Sequence, residues 1–302
     1  MGAAEAALIL IAGIAAGTIN TIVGSGTLVT FPTLLFLGYP PVTANVSNTV
    51  GLVAGGITGS WGYRHELGGA RGILLRWAPM SLLGGIVGAL LLLVLDPAAF
   101  KAIVPVLIGI GVLLVAFGPR ITAWTNAHRG DEPAEEGSAG RSPANAEPME
   151  EGSNGRGLAD EVTVPGDAGS RGATAAIGQH SRGRALLLLA LIFATAVYGG
   201  YFGAAQGVIL MGVFTTLTSD GLQRLNGLKN VLSTIVNAVA ALTFIIVAPD
   251  QVDWLVAALI GAGALIGGVV GSRVGRRLPP RVLRAVIITI GIVAIVRMIW
   301  FS

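Results

Sequence analysis

The chain has 302 residues, of which 53% are hydrophobic and only 12% charged, and several apolar runs of about twenty residues contain no Asp or Glu. This balance specifies a polytopic, all-α helical membrane protein. A net charge of +3, with the basic residues at helix ends, offers no nucleic-acid surface, and zero cysteines exclude disulfides, thiolate metal sites and cysteine nucleophiles.

The first residues, Met1-Gly2-Ala3-Ala4-Glu5, lack the basic flank and cleavage site of a secretory signal. Ala6 stands where a myristoylation motif needs Ser or Thr, so the opening run is read as a membrane segment. Ala6 to Val23 nearly spans a bilayer as helix, but Gly24-Ser25-Gly26-Thr27 then interrupts it. The piece that follows, Leu28 to Leu37 with Pro32 inside it, is too short to cross. Lipid cannot satisfy free backbone N–H and C=O groups, so non-helical backbone at membrane depth must be buried in protein or line a polar cavity. The break therefore nominates a site.

Pro40-Pro41 makes a turn, and Val42 to Tyr63 reads as a spanning helix. A basic loop with Arg64, His65, Glu66, Arg71 and Arg76 precedes two more helices, Ile73 to Leu95 and Ala102 to Phe117. Residues 120–184 change character: rich in Gly, Ala, Glu, Pro and Ser, with ten acids against seven arginines, they read as a disordered cytoplasmic linker and passive tether. The expected organisation is a first membrane repeat at 1–119, the linker, and a second membrane repeat at 185–302. Trp61, Trp77, Trp254 and Trp300 fall near the ends of apolar runs and read as interfacial belts.

From Ala185 the first half is played again. Leu83-Gly84-Gly85-Ile86-Val87-Gly88 matches Ile266-Gly267-Gly268-Val269-Val270-Gly271, and Val23-Gly24-Ser25-Gly26-Thr27 aligns with Phe202-Gly203-Ala204-Ala205-Gln206. With a two-residue shift, Asn45-x-x-Asn48-Thr49 falls on Asn226-x-x-Lys229-Asn230. Two halves, each with a broken helix, are a transporter signature. The arginine loops lie between the second and third full helices of one half and the third and fourth of the other. Positive-inside placement of both requires an odd number of crossings per half, hence inverted-topology repeats with both termini outside. Whether each broken segment is re-entrant or spanning is left open.

Asn226, Lys229, Asn230, Ser233 and Asn237 share one helix face, and Asn45, Asn48 and Thr49 begin the same pattern in the first half, where Leu52 and Gly56 then replace the polar residues. Such residues in lipid face a bundle interior, so the stripe is expected to line a cavity shared with both breaks; ordinary interhelical hydrogen bonding is the bland alternative. No Asp or Glu lies inside a membrane segment, whereas Lys229 sits about six residues, roughly 9 Å, within its helix. That asymmetry of sign points to an anionic substrate, with helix N-termini around Thr27 and Gly207 adding N–H donors. Snorkelling of Lys229 to the interface is the competing account. A rival from another class makes Ser25 a hydrolase nucleophile with His65 as base, but Ser25 aligns with Ala204 and His65 lies in a basic loop.

The break Gly24-Ser25-Gly26-Thr27, Phe31-Pro32 ending at Gly38, Ala44-Asn45-Val46-Ser47-Asn48-Thr49-Val50-Gly51, Tyr63-Arg64-His65-Glu66-Leu67, and Lys229-Asn230 resemble the TauE/SafE family of sulfite and organosulfonate exporters. The resemblance covers both halves and implies a multi-pass permease of a prokaryotic inner membrane for small sulfur anions. The second break, Gly203-Ala204-Ala205-Gln206-Gly207, is poorer in glycine than the family form, so Gln206 is expected to offer a side-chain amide in place of backbone donors.

The sequence thus predicts a secondary transporter exporting a small anion by alternating access, with a proton- or sodium-coupled anion importer as the alternative. The substrate-binding set is Asn20, Gly24, Ser25, Gly26, Thr27, Asn45, Asn48, Thr49, Gly203, Gln206, Gly207, Asn226, Lys229, Asn230 and Ser233. No catalytic residue, metal or cofactor is implied. The expected partners are the anion and membrane lipid, with a homo-oligomer left open.

Overall fold

A computed structural model describes residues 1–128, 170–218 and 220–274, with single positions between 285 and 296. Among the described residues every regular element is helical: α1 (Ala3–Ile22), α2 (Thr27–Phe36), α3 (Pro41–Gly62), α4 (Arg71–Val94), α5 (Pro97–His128), α6 (Ser170–Tyr201), α7 (Gln206–Leu217), α8 (Leu222–Val247) and α9 (Trp254–Val274), with a 3-10 turn at Pro249–Gln251. Helices α5 and α6 carry helix into both ends of the stretch read as a linker, at 120–128 and 170–184, and 129–169 lie outside the described residues.

Six helical segments are long and apolar enough to cross a bilayer: Ala3–Ile22, Arg71–Val94, Ala98–Phe117, Gly183–Tyr201, Leu222–Val247 and Trp254–Arg273. Helix α3 has the length, about 33 Å, but buried Asn45, Ser47, Asn48 and Thr49 make it too polar for that set. It is protected by protein instead, packing against α1, α8 and α9.

The helix boundaries follow from local chemistry. Pro41, with no N–H to lose, starts α3 at a position where the N–H would be an orphan. Asp253 Oδ1 accepts the N–H groups of Leu255 and Val256 at the start of α9, and Asp96 Oδ1 accepts that of Ala98 at the start of α5. Helix α1 stops where Val23 and Gly24 N–H both return to Ile19 O and Gly24 takes φ +84°. Helix α6 stops in the same way, with Phe202 and Gly203 N–H returning to Tyr198 O and Gly203 at φ +76°. Glycine takes this left-handed closure without a Cβ penalty.

After each stop the chain doubles back. Gly26 packs on Ala16 and Asn20, and beyond α2 the Tyr39 hydroxyl donates to Glu5 Oε1 at 2.9 Å, near the start of α1. Burial, and then the Glu5 carboxylate, push the Tyr39 phenol up to about 12. At the second break Arg184 Nη2 donates to Thr216 O at 3.4 Å, joining the early part of α6 to the end of α7. The tips of the two hairpins meet, because Gly207 N–H donates to Gly24 O at 2.9 Å. A Cβ on either glycine would overlap the other's Cα.

Around this meeting point the two halves exchange helices. Helix α9 lies along α1 and α3, while α4 lies along α6 and α8. The matching glycine motifs are the seams: Gly84 and Gly88 abut Phe193, Ala196 and Val197 of α6, and Gly267 and Gly271 abut Ile14 and Thr18 of α1. Lipid provides no hydrophobic drive between helices, so close van der Waals approach at small residues holds such a bundle together. Contact order gives the directions. Gly51, Gly55 and Gly62 of α3 meet Ile260, Ala264 and Ser272 of α9, so those helices run the same way; Gly56 meets Thr234 of α8 while Gly227 of α8 meets Tyr63, so α3 and α8 run oppositely.

Trp77 departs from the expected interfacial belt. It is only 8% exposed and stacks on Phe214 with ring centroids 5.0 Å apart, because α7 lays its aromatic side chain over that face of α4. Trp61 and Trp254 are exposed, Trp61 carrying the Arg64 guanidinium 5.0 Å from its ring, and Trp300 lies outside the described residues.

Candidate functional site

The carbonyl ends of α1 and α6 are the polar groups that each break creates, and a side chain from the opposite half meets each of them. Lys229 Nζ donates to Thr21 O at 3.2 Å and Ile22 O at 3.4 Å, and Asn230 Nδ2 donates to Thr21 O at 3.1 Å. At the other break Asn45 Nδ2 donates to Tyr201 O at 3.0 Å. These bonds satisfy orphan carbonyls of helix C-termini, where the partial charge is negative.

Lys229 is 0% exposed and is the one buried charged side chain among the described residues. It does not snorkel: its ammonium turns inward to α1, about 10 Å along α8 from the start of that helix. Asn48, which aligns with Lys229, turns to α2, donating to Thr27 Oγ1 at 3.3 Å and accepting from Thr30 Oγ1. Thr49 Oγ1 donates to Asn45 O at 2.9 Å within its own helix. Asn20 Oδ1 accepts the Gly26 N–H at 3.5 Å, a long contact that steadies the first hairpin.

Five of the residues singled out from sequence keep a buried polar atom without a hydrogen-bond partner among the described residues: Ser25 Oγ, Asn45 Oδ1, Gln206 Nε2, Asn226 Oδ1 and Ser233 Oγ. A buried polar group left unpaired costs roughly 1–3 kcal/mol, so each of these atoms calls for a polar partner. Gly207 differs from its expected role as a free backbone donor, since its N–H is taken by Gly24 O where the tips touch. Ser25 is 0% exposed with an unpartnered hydroxyl, and His65 is exposed at the end of α3. Among the described residues no base stands within hydrogen-bond reach of Ser25, so the geometry gives no support to a hydrolase triad.

The model for the family described as sulfite exporter TauE/SafE matches residues 9–298, nearly the whole chain. The chain belongs to the TauE/SafE family. A probable membrane transporter protein, ORF9, of Sinorhizobium sp is 24% identical over 299 residues, covering 97% of this chain and 92% of that one. A probable membrane transporter protein of Haemophilus influenzae is 33% identical over 118 residues, 38% of this chain and 45% of its own length. No solved structure matches. Family and relatives together mark a multi-pass membrane transporter.

In this TauE/SafE chain the second break places Ala205 at φ +63°, a left-handed conformation that costs an L-residue about 1–2 kcal/mol, whereas the aligned Gly26 is at φ −59°. Residues that sequence reasoning passed over complete the site. Tyr198 OH donates to Ala204 O at 2.5 Å and so shapes the second break, Tyr201 OH is a further buried unpartnered group, and Thr21 supplies the carbonyl that Lys229 and Asn230 share. Two phenols in the last turn of an apolar helix were the available signal for the tyrosines. A backbone acceptor such as Thr21 O has none.

Proposed function

We propose that this TauE/SafE chain is a secondary transporter that exports a small oxyanion, such as sulfite, sulfoacetate or a related organosulfonate, across a prokaryotic inner membrane by alternating access. The observation that carries the reading is Lys229: a fully buried ammonium beside the joined breaks, with no carboxylate paired to it among the described residues and with buried, unpartnered polar atoms on Ser25 and Gln206 of the breaks. An ammonium has three N–H donors, and two go to Thr21 O and Ile22 O. The third is assigned to the anion, with Ser25, Gln206, Asn226 and Ser233 completing its shell.

Inverted repeats are the architecture proposed for this cycle. Their support is that the aligned helices α3 and α8 run oppositely while each half lends its third long helix, α4 or α9, to the other. A two-fold axis relating antiparallel helices lies in the membrane plane. Gly62, two residues before Arg64, meets Ser272, next to Arg273, so these two cations share a face, which positive-inside placement makes cytoplasmic. Each half then contributes a re-entrant hairpin, and the two tips meet where Gly207 N–H bonds Gly24 O.

Export needs no dissociable ion in this scheme. At 100 mV, inside negative, each exported negative charge gains about 2.3 kcal/mol, enough for roughly a fifty-fold gradient. The test is sulfite efflux from liposomes holding the purified protein, with a potassium diffusion potential of either sign. Efflux is expected to accelerate when the interior is negative and slow when it is positive; indifference to potential, or a requirement for a proton gradient, overturns the exporter reading.

A further inference from the structure

We infer that the carbonyl end of α1 is a cation site whose occupant is the Lys229 ammonium, a tethered charge standing where a sodium ion binds once that ammonium is removed. The inference deepens the reading of Lys229 given above, but its test does not involve the anion.

In transporters with interrupted helices, the C-terminal carbonyls of the half-helices are the groups that hold coupling cations. Here Thr21 O and Ile22 O converge on one positively charged nitrogen at 3.2 and 3.4 Å, fully buried, with no carboxylate paired to it among the described residues. Capping the helix does not account for that charge. The equivalent end of α6 is held through Tyr201 O by the neutral Asn45 amide, and Asn48, aligned with Lys229, serves α2 instead. One break is thus tied by an amide and the other by an amide, Asn230, plus a cation. The cation is the surplus. Ser233, one turn further along the same face of α8, and Ser25 in the break hold unpartnered hydroxyl oxygens of the kind that complete a sodium shell.

A charge fixed to α8 neutralises the bound anion without leaving with it. Each cycle then moves the anion's charge alone, which keeps transport coupled to membrane potential and independent of sodium.

Removing the side chain exposes the site to test. Purified wild type, Lys229→Ala and Lys229→Met are unfolded thermally in detergent, in sodium chloride and in choline chloride of equal concentration. Wild type is expected to have the same midpoint in both salts. Lys229→Ala, which opens the carbonyl end, is expected to gain roughly 3–6 °C in sodium at about fifteen times its Kd. Lys229→Met fills the space with an apolar chain and is expected to show no difference. Recovery of Lys229→Ala as folded protein only in sodium supports the inference in the same way. A sodium shift in wild type or in Lys229→Met, equal midpoints for Lys229→Ala in the two salts, or failure to recover that variant in either salt overturns it. Failure of sulfite transport by wild type would count against the exporter and leave this result standing.

Discussion

Replacing Lys229 by Gln removes one charge from the centre of the proposed site while keeping an amide donor for Thr21 O. An anion about 4 Å from the ammonium, at the effective dielectric of about 20 that suits protein sites, interacts with it by about 4 kcal/mol. The Gln amide returns about 1 kcal/mol as a neutral hydrogen bond, so the net loss is about 2–3 kcal/mol, or about 30- to 150-fold in Kd. Folding is expected to suffer little. The variant loses a favourable cation at the C-terminus of α1, but it also relieves the burial of a charge that no carboxylate offsets among the described residues.

Lys229→Arg keeps the charge in a larger, planar group, and the lysine stem already lies close to Gly207, its Cδ 3.1 Å from where a Cβ there would stand. An intermediate loss is expected. Equilibrium binding of radiolabelled sulfite to the three purified proteins, with gel filtration as the check on folding, separates the outcomes. Wild-type affinity in Lys229→Gln refutes the electrostatic reasoning and removes the main argument for an anionic substrate.

Gly24→Ala faces two costs, a left-handed φ of +84° and overlap with Gly207 Cα, so it is expected to separate the hairpin tips and lower stability by at least about 2 kcal/mol, read as a fall in unfolding midpoint with loss of transport. Ala205→Gly relieves strain at φ +63° but loosens the unfolded chain, and is expected to stay within about 1 kcal/mol of wild type, whereas Ala205→Val puts a β-branched residue into a fully buried left-handed position and is expected to cost more than about 2 kcal/mol. Single cysteines at Ala98 and Gln251 are expected to react with an impermeant thiol reagent in intact cells and one at Gly72 to be shielded; the native chain has no cysteine, and labelling at 72 but not at 98 would reverse the proposed orientation.

The helices were legible because apolar length and glycine or proline punctuation act locally. Gly24 and Gly203 announced their breaks, and both take a conformation that glycine favours. The Gly84-Gly85-x-x-Gly88 repeat was visible as a motif, but its task, seating α4 on the other half, depends on which helix lies opposite, and sequence does not state that. Trp77 misled for the same reason. A tryptophan near the end of an apolar run is interfacial unless a neighbour covers it, and Phe214, 137 positions away in the chain, does so here.

Lys229 shows where reading a stripe of polar residues stops. Periodicity placed Lys229 on one face with Asn226, Asn230 and Ser233, and the absence of acids gave the sign of the site, yet its bonding partners are backbone carbonyls that carry no sequence signature. Comparing the two halves recovers part of what the stripe cannot give. Were the two halves equivalent, both tips would be held alike; instead Asn48 faces Lys229 in the alignment, and Gly26 faces Ala205. The first hairpin is held by a cation and an amide and shaped by glycine, the second is held by an amide alone and forced through a strained alanine. Their tips share a single backbone hydrogen bond, Gly207 to Gly24, worth about 1 kcal/mol net. In the proposed cycle an anion on the third N–H of Lys229 acts through the first hairpin, because Thr21 O and Ile22 O, which hold that ammonium, both belong to the end of α1.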